Sequence, residues 1–214
     1  MAKATPKKKK SAANPDSWQA QKSASTRNQI VEAAITAFVS LGYAKTTTTS
    51  ISEIAGLSRG AMLHHFPSKI DIVKAAVDHL HAKRLSAFRR SVKALPADAD
   101  RVKLAVESYW EHVQHPMFVA FFELAVAART DNELKKILRP KQREFDKAWY
   151  EQALKLFPEW EGKKDAFDLA LDLTEYIMEG VAVSYLTHHA PKTKQVERLL
   201  EFLENSIRDL LSKS

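Results

Sequence analysis

Between Gly60 and Gly162 the chain runs for about a hundred residues without a glycine. That interval is rich in Ala, Leu, Glu and Lys, which lose little on entering a helix, whereas sheet folds need frequent turns. The pattern predicts an all-α protein. Only five glycines occur in the 214 residues, at 42, 56, 60, 162 and 180, and three of them fall within one N-terminal unit. The length suits one sizeable domain, or a small one joined to a larger one.

No cysteine is present, which excludes disulfides and thiolate chemistry and suits a reducing compartment. The basic N-terminus lacks the apolar stretch of a signal peptide. No apolar run approaches the roughly 20 residues that span a bilayer. These features predict a cytoplasmic protein without a membrane partner. The net charge of +7 is concentrated at one end. Residues 1–24 hold six lysines against Asp16, so the rest of the chain contributes only +2. The high pI therefore says little about a basic, DNA-binding body.

Residues 1–22 are Lys-, Ala- and Ser-rich, with little to bury apart from Trp18, and are expected to be a disordered tail. Lys7–Lys10 could follow phosphates as an auxiliary arm, or simply solubilise the chain. A first helix is expected from about Thr26, where Thr26 and Gln29 resemble a capping box, to Leu41, with Gly42 as its left-handed stop. A short helix to about Ile54 follows. Ser58 is a good N-cap for another short helix that must end before Pro67. Ser68 then caps a long helix over about 69–95. Further helices are expected over about 99–115, 117–128, 131–157 (bent or broken near Pro140), 164–189 and 192–212, the last after Pro191.

The unit that carries chemistry is Ala55-Gly56-Leu57-Ser58-Arg59-Gly60-Ala61-Met62-Leu63-His64-His65-Phe66. A short helix ends at a glycine, a second starts at a serine, and Pro67-Ser68-Lys69 closes the unit. This is the outline of a helix-turn-helix, which lays one short helix in the DNA major groove. Ser52 is small enough for a close helix crossing, and Gly60 and Ala61 let backbone approach a base edge or thymine methyl. Arg59 can donate twice to a guanine.

On these residues the chain resembles the TetR family of bacterial regulators. The family pattern appears without gaps as Thr47-Thr48, Ile51-Ser52, Ala55-Gly56-Leu57-Ser58, Gly60, His65-Phe66 and Ser68-Lys69, preceded by Gly42-Tyr43. The resemblance covers about 55 residues. Two positions depart from it: Leu63 stands where a phosphate-contacting tyrosine is usual, and Ser52 where alanine is usual.

The resemblance implies DNA contacts residue by residue. Thr47 and Thr48 would meet phosphates at the start of the second helix, and Thr49 could meet a base. Arg59, Gly60 and Ala61 would read the groove, while Ser58, His64, His65 and Lys69 would anchor to the DNA backbone. Without that role, Thr47 and Ser58 would be only caps and the histidines only surface groups. It divides the chain into the tail (1–22), a DNA-binding domain (23–70) and a helical effector-binding and dimerisation domain (71–214).

For dimerisation, the final helix offers Val196, Leu199, Leu200, Leu203, Ile207, Leu210 and Leu211 on one face. The preceding helix offers Phe167, Leu171, Thr174, Ile177, Met178, Val181 and Tyr185. The expectation is a homodimer in which these two helices pair with their mates, although the same stripes would also serve an internal core. For a ligand, the aromatic-rich region is the place to look. Tyr109, Trp110, Met117, Phe118, Phe121, Phe122, Trp149 and Tyr150 would line a pocket for a small, largely apolar effector that could carry an acidic group, with His112, Glu123 and Arg129 as polar contacts.

The acidic stripe Asp165, Asp168, Asp172, Glu175 and Glu179 reads as a solvated or salt-bridging face. No cofactor motif, metal-ligand spacing or nucleophile elbow stands out. The sequence therefore predicts an effector-released repressor that binds a palindromic operator in double-stranded DNA. The alternatives are a helical enzyme or ligand-binding protein with a purely structural helix-turn-helix, or a dimeric activator.

Overall fold

The computed structural model of the chain describes residues 15–93, 99–186 and 193–213. Among these every regular element is helical. They are α1 (Pro15–Lys45), α2 (Thr48–Ile54), α3 (Arg59–His65), α4 (Lys69–Lys93), α5 (Arg101–Gln114), α6 (Pro116–Ala127), α7 (Asn132–Leu156), α8 (Lys164–Tyr185) and α9 (Thr193–Lys213). A 3-10 turn, Pro158–Trp160, joins α7 towards α8. The all-α expectation holds.

Two apolar cores organise these helices. The first gathers Ile30, Ala34 and Phe38 of α1, Ile51 of α2, Met62 of α3 and Ile72, Val73 and Leu80 of α4. Ala120 and Leu124 of α6 and Leu134 and Leu138 of α7 close it. Full burial of each large side chain is worth about 1.5–3 kcal/mol, so this core fixes the small helices α2 and α3 against long ones. The second core joins Val106 and Val113 of α5, Ala153 of α7, Phe167 and Met178 of α8, and Leu203 and Ile207 of α9. Helix α6 serves both, because Phe118 belongs to the second core and Ala120 and Leu124 to the first.

Several expectations need correction. Helix α1 begins at Pro15 rather than near Thr26, so residues 15–22 are helical and Thr26 is not a cap. Its hydroxyl donates back to the carbonyl of Lys22 (3.0 Å), as a threonine inside a helix can. Lys7–Lys10 lie outside the described residues. Gly42 does take a positive φ (75°), but helical bonding resumes beyond it to Lys45. Helix α7 runs through Pro140 unbroken. The proposed ends of the 69–95 and 164–189 helices, and Pro191, also fall outside the described residues.

The apolar stripes offered for dimerisation are spent largely inside the chain. Val196, Leu203 and Ile207 of α9 and Phe167 and Met178 of α8 are buried, with Leu171, Ile177, Leu200, Leu210 and Leu211 packed against them. Periodicity had identified a buried face but not what buries it. A different set stays exposed: Leu169 and Tyr176, seven residues apart on α8, and Phe202 on α9, at 46%, 67% and 63%.

Candidate nucleic-acid interface and internal cavity

Two caps and one glycine build the helix-turn-helix. Thr47 is extended and caps α2 through a reciprocal box. The Ser50 N–H donates to Thr47 Oγ1 (3.1 Å), and the Thr47 N–H to Ser50 Oγ (2.9 Å). Each cap satisfies amide groups that the first helical turn leaves unpaired. Gly56, at φ +64°, turns the chain where a side chain would be strained. Ser58 then caps α3 by accepting from the Ala61 N–H (3.1 Å). Ser52 is buried at the crossing, donating to the Thr49 carbonyl (2.8 Å).

Burial on one side of α3 sets what the other side can do. Met62 and Phe66 are buried, and Leu63 packs partly against the same core. Arg59, Gly60, Ala61 and His64 are exposed, His65 is half-buried, and Thr47, Thr49 and Ser58 are exposed beside them. Thr48 is half-buried. Capping occupies the acceptor lone pairs of Thr47 and Ser58 only in part, so these residues are caps whatever else they touch. Leu63 replaces a phenol with a side chain that belongs to the core edge.

Two groups not anticipated from the sequence clamp this unit onto α1. Arg27 donates to the His65 carbonyl (2.7 Å), its guanidinium lying 4.1 Å from the Phe66 ring centre. Gln29 donates to the Ala55 carbonyl (2.7 Å). They hold the last turns of α3 and α2 respectively, and their partners are backbone carbonyls that no residue pattern advertises.

A polar junction ties the same unit to the larger body. Glu123 of α6 accepts from the Tyr43 N–H (3.3 Å), and the Tyr43 hydroxyl bonds Asp131, the N-cap of α7 (3.3 Å). Lys69 donates to the Tyr43 carbonyl (2.6 Å), with its ammonium 3.9 Å from the ring centre. Burial, and then the Asp131 carboxylate, push the Tyr43 phenol up to about 12. Burial lowers the Lys69 pKa, with Asp131 pulling against it. Lys69 thus has one N–H donor committed inside the protein and its ammonium held against the Tyr43 ring. Glu123 sits at this junction, not in a ligand pocket.

The larger body encloses a cavity of about 500 Å³. Its walls come from α4 (Arg84, Phe88), α5 (Val106, Tyr109), α6 (Phe121), α7 (Phe145, Asp146, Trp149, Tyr150), α8 (Phe167, Asp172, Glu175, Glu179) and α9 (Ile207). Phe88 stacks on Trp149 at 4.1 Å, and Tyr109 meets Trp149 edge-on at 6.3 Å. Of the aromatics expected in a pocket, Tyr109, Phe121, Trp149 and Tyr150 line this one. His112 stands one layer behind, accepting from Arg84 Nε (2.9 Å). Burial and the neighbouring guanidinium push its pKa down to about 3, so it is the neutral acceptor.

The other candidates do not line this cavity. Phe118 is buried in the second core and stacks on Phe122 at 6.1 Å, while Trp110 packs edge-on against Tyr185 at 6.0 Å. Arg129 is exposed just past the end of α6. Neighbouring helical positions point about 100° apart, which separates Phe121 from Phe122. The acidic stripe on α8 also divides. Asp168 pairs with Lys164, whereas Asp172, Glu175 and Glu179 line the cavity.

Comparison with known proteins places this geometry. Residues 30–76 match the family described as bacterial regulatory proteins, tetR family. An uncharacterized HTH-type transcriptional regulator of Mycobacterium tuberculosis is 26% identical over 170 residues, covering 77% of this chain and 85% of that one. The HTH-type transcriptional regulator TtgR of Pseudomonas putida is 50% identical over 56 residues, 26% of this chain and 27% of its own length. A crystal structure of a TetR-family regulator from Rhodococcus shares the fold at a TM-score of 0.63 and 19% identity, covering 87% of this chain and 99% of that one.

Proposed function

For a chain that belongs to the TetR family of bacterial transcriptional regulators, we propose a ligand-responsive repressor that binds a palindromic operator as a homodimer and is released by a small, largely apolar effector. The DNA-facing surface is the exposed side of α3 with the α2 N-terminus. Arg59, Gly60 and Ala61 face base edges with Thr49 beside them, while Thr47, Thr48, Ser58, His64, His65 and Lys69 meet phosphates.

The observation that carries ligand response lies on α6. Phe121 lines the cavity, and two residues on, Glu123 holds the backbone of Tyr43 at the root of the DNA-binding unit. A ligand that shifts α6 therefore bears directly on the orientation of α2 and α3. In a two-fold dimer the two α3 helices must meet successive major grooves about 34 Å apart. A modest rotation of each head breaks that match, and a ligand favouring the rotated form lowers operator affinity.

The test is a gel-shift on DNA selected by the purified protein from a random pool. One inverted-repeat site should emerge, bound with an affinity that falls steeply as salt rises. Recovery of no preferred sequence would leave the helix-turn-helix with a structural role and sink the proposal.

A further inference from the structure

We propose that the effector of this protein is an organic cation: an aromatic or aliphatic body carrying an amine or quaternary ammonium. The inference rests on the reading of the cavity as the effector site and names the chemistry that site selects.

The cavity walls combine stacked aromatic rings with an excess of carboxylates. Four lining residues are acidic, Asp146 on α7 and Asp172, Glu175 and Glu179 on α8, and one is basic, Arg84. The three on α8 follow one another at spacings of three and four residues, one face of the helix, and Asp146 approaches from α7. Asp146, Asp172 and Glu175 stand at the exposed rim, and Glu179 is half-buried below them. Among the described residues none of the four forms an ion pair. The hydrogen bonds they accept come from neutral groups, Tyr109 to Glu179 (3.4 Å) and Gln142 to Asp146 (2.6 Å). Glu175 is held above the usual carboxylate range by burial and then by repulsion from Glu179, Asp146 and Asp172, with Arg84 only partly offsetting this.

Arg84 does not cancel this field. It is 7% exposed, donates through Nε to His112, and lays its guanidinium 4.3 Å from the Phe145 ring centre. One buried cation among four carboxylates leaves the mouth and one wall negative. An anionic ligand would have to cross that rim against repulsion, while a cation is drawn in. The field of a concave, low-dielectric site strengthens this discrimination. Inside, Trp149, Tyr150 and Tyr109 line the cavity, and the face of an aromatic ring favours a cation over a neutral group of the same shape.

The test uses three probes with one body: biphenylmethyl-trimethylammonium, biphenylmethanol and biphenyl carboxylate, titrated calorimetrically into the full-length protein. The ammonium compound should bind at least about tenfold more tightly than the carboxylate, a difference of about 1.4 kcal/mol. The Glu175→Gln, Glu179→Gln double variant should lose most of that preference while binding the alcohol as before, which also reports an intact cavity. Should the double variant fail to fold, Asp172→Asn at the exposed rim gives the same comparison. Tighter binding of the carboxylate would assign the site to anions through Arg84 and overturn the proposal. An unchanged preference in the variants, or binding of none of the three probes, would overturn it as well. Release from operator DNA is scored separately by gel-shift, so a cation that binds without weakening DNA binding fails the repressor reading and not this one.

Discussion

Arg59 and Lys69 separate two tasks that a DNA-binding unit must perform. Arg59 is exposed near the start of α3, so Arg59→Ala should cost about 1–3 kcal/mol at a single base pair and relax specificity there. Lys69→Ala should weaken all sequences alike and flatten the salt dependence by about one counterion. Because Lys69 also holds the Tyr43 carbonyl, the same variant should melt at a lower temperature, which Arg59→Ala should not. Selection on randomised DNA and melting curves check both, and operator binding untouched in both variants would reject these assignments. A second residue-scale consequence concerns acid. Burial and then Arg84 push His81 down to about 4 and His112 to about 3. In the unfolded chain both titrate near pH 6.5. Between the folded and unfolded values the unfolded chain binds more protons, so this stability is complete above about pH 6.5 and is lost on acidification. At pH 5 the loss is at most about 2 kcal/mol per histidine, from about 1.4 kcal/mol per pH unit. Glu175 and Glu179, raised by burial, act with the opposite sign. The clean measurement is therefore a difference: His112→Gln, which keeps an acceptor for Arg84, should lose less melting temperature between pH 7.5 and 5 than the parent. Equal losses would show that His112 titrates as freely in the fold as in the unfolded chain.

Among the elements, the contact of α1 with α6 decides whether the two parts of the chain can communicate. Gly42 has φ 75° and ψ 161°, a region open essentially to glycine. A Cβ there would also meet the Glu123 carboxylate at 3.1 Å. Gly42→Ala should therefore cost about 1–3 kcal/mol of stability. Glu123→Ala, which removes the acceptor of the Tyr43 N–H without touching backbone geometry, should leave operator affinity close to that of the parent but blunt its response to effector. Gel-shift titrations with and without effector measure this, and a full response in Glu123→Ala would place the coupling elsewhere. Local signals made the small helices legible from sequence: Thr47, Gly56 and Ser58 act through bonds two or three residues long, and each stands where its type predicts. The start of α1 was not legible, because residues 15–25 carry little apolar periodicity to mark a helix. The cavity was only half legible. An acidic stripe looks the same whether it faces water or a hollow, and only the cavity left between α8 and its neighbours distinguishes Asp168 from Glu175. The aromatic run of α6 shows that Phe121 and Phe122 part company, but not which of the two meets the cavity.

At the scale of the whole molecule, the residues left uncovered decide the assembly. The stripes of α8 and α9 that periodicity offered as an interface are consumed by the second core. Leu169, Tyr176 and Phe202 nonetheless remain largely exposed on the same two helices. Leu169 and Tyr176 lie two turns apart on one face of α8, a spacing that continues along a helix pair. A stable protein–protein interface buries about 1,200–2,000 Å² in total. The outer faces of a 22-residue α8 and a 21-residue α9, doubled by a two-fold axis, are long enough to approach that area. Replacing Leu169 and Phe202 together by glutamate puts four charges into the symmetric contact while leaving both cores and the cavity wall intact, since neither side chain is buried or lines the cavity. The parent should sediment as a dimer at micromolar concentration. The double variant should sediment as a folded monomer, with unchanged helical content and operator affinity lower by about 10²-fold or more, because the second half-site then binds as a separate event. A parent that sediments as a monomer, or a glutamate variant that remains dimeric, would show that these faces meet no second copy.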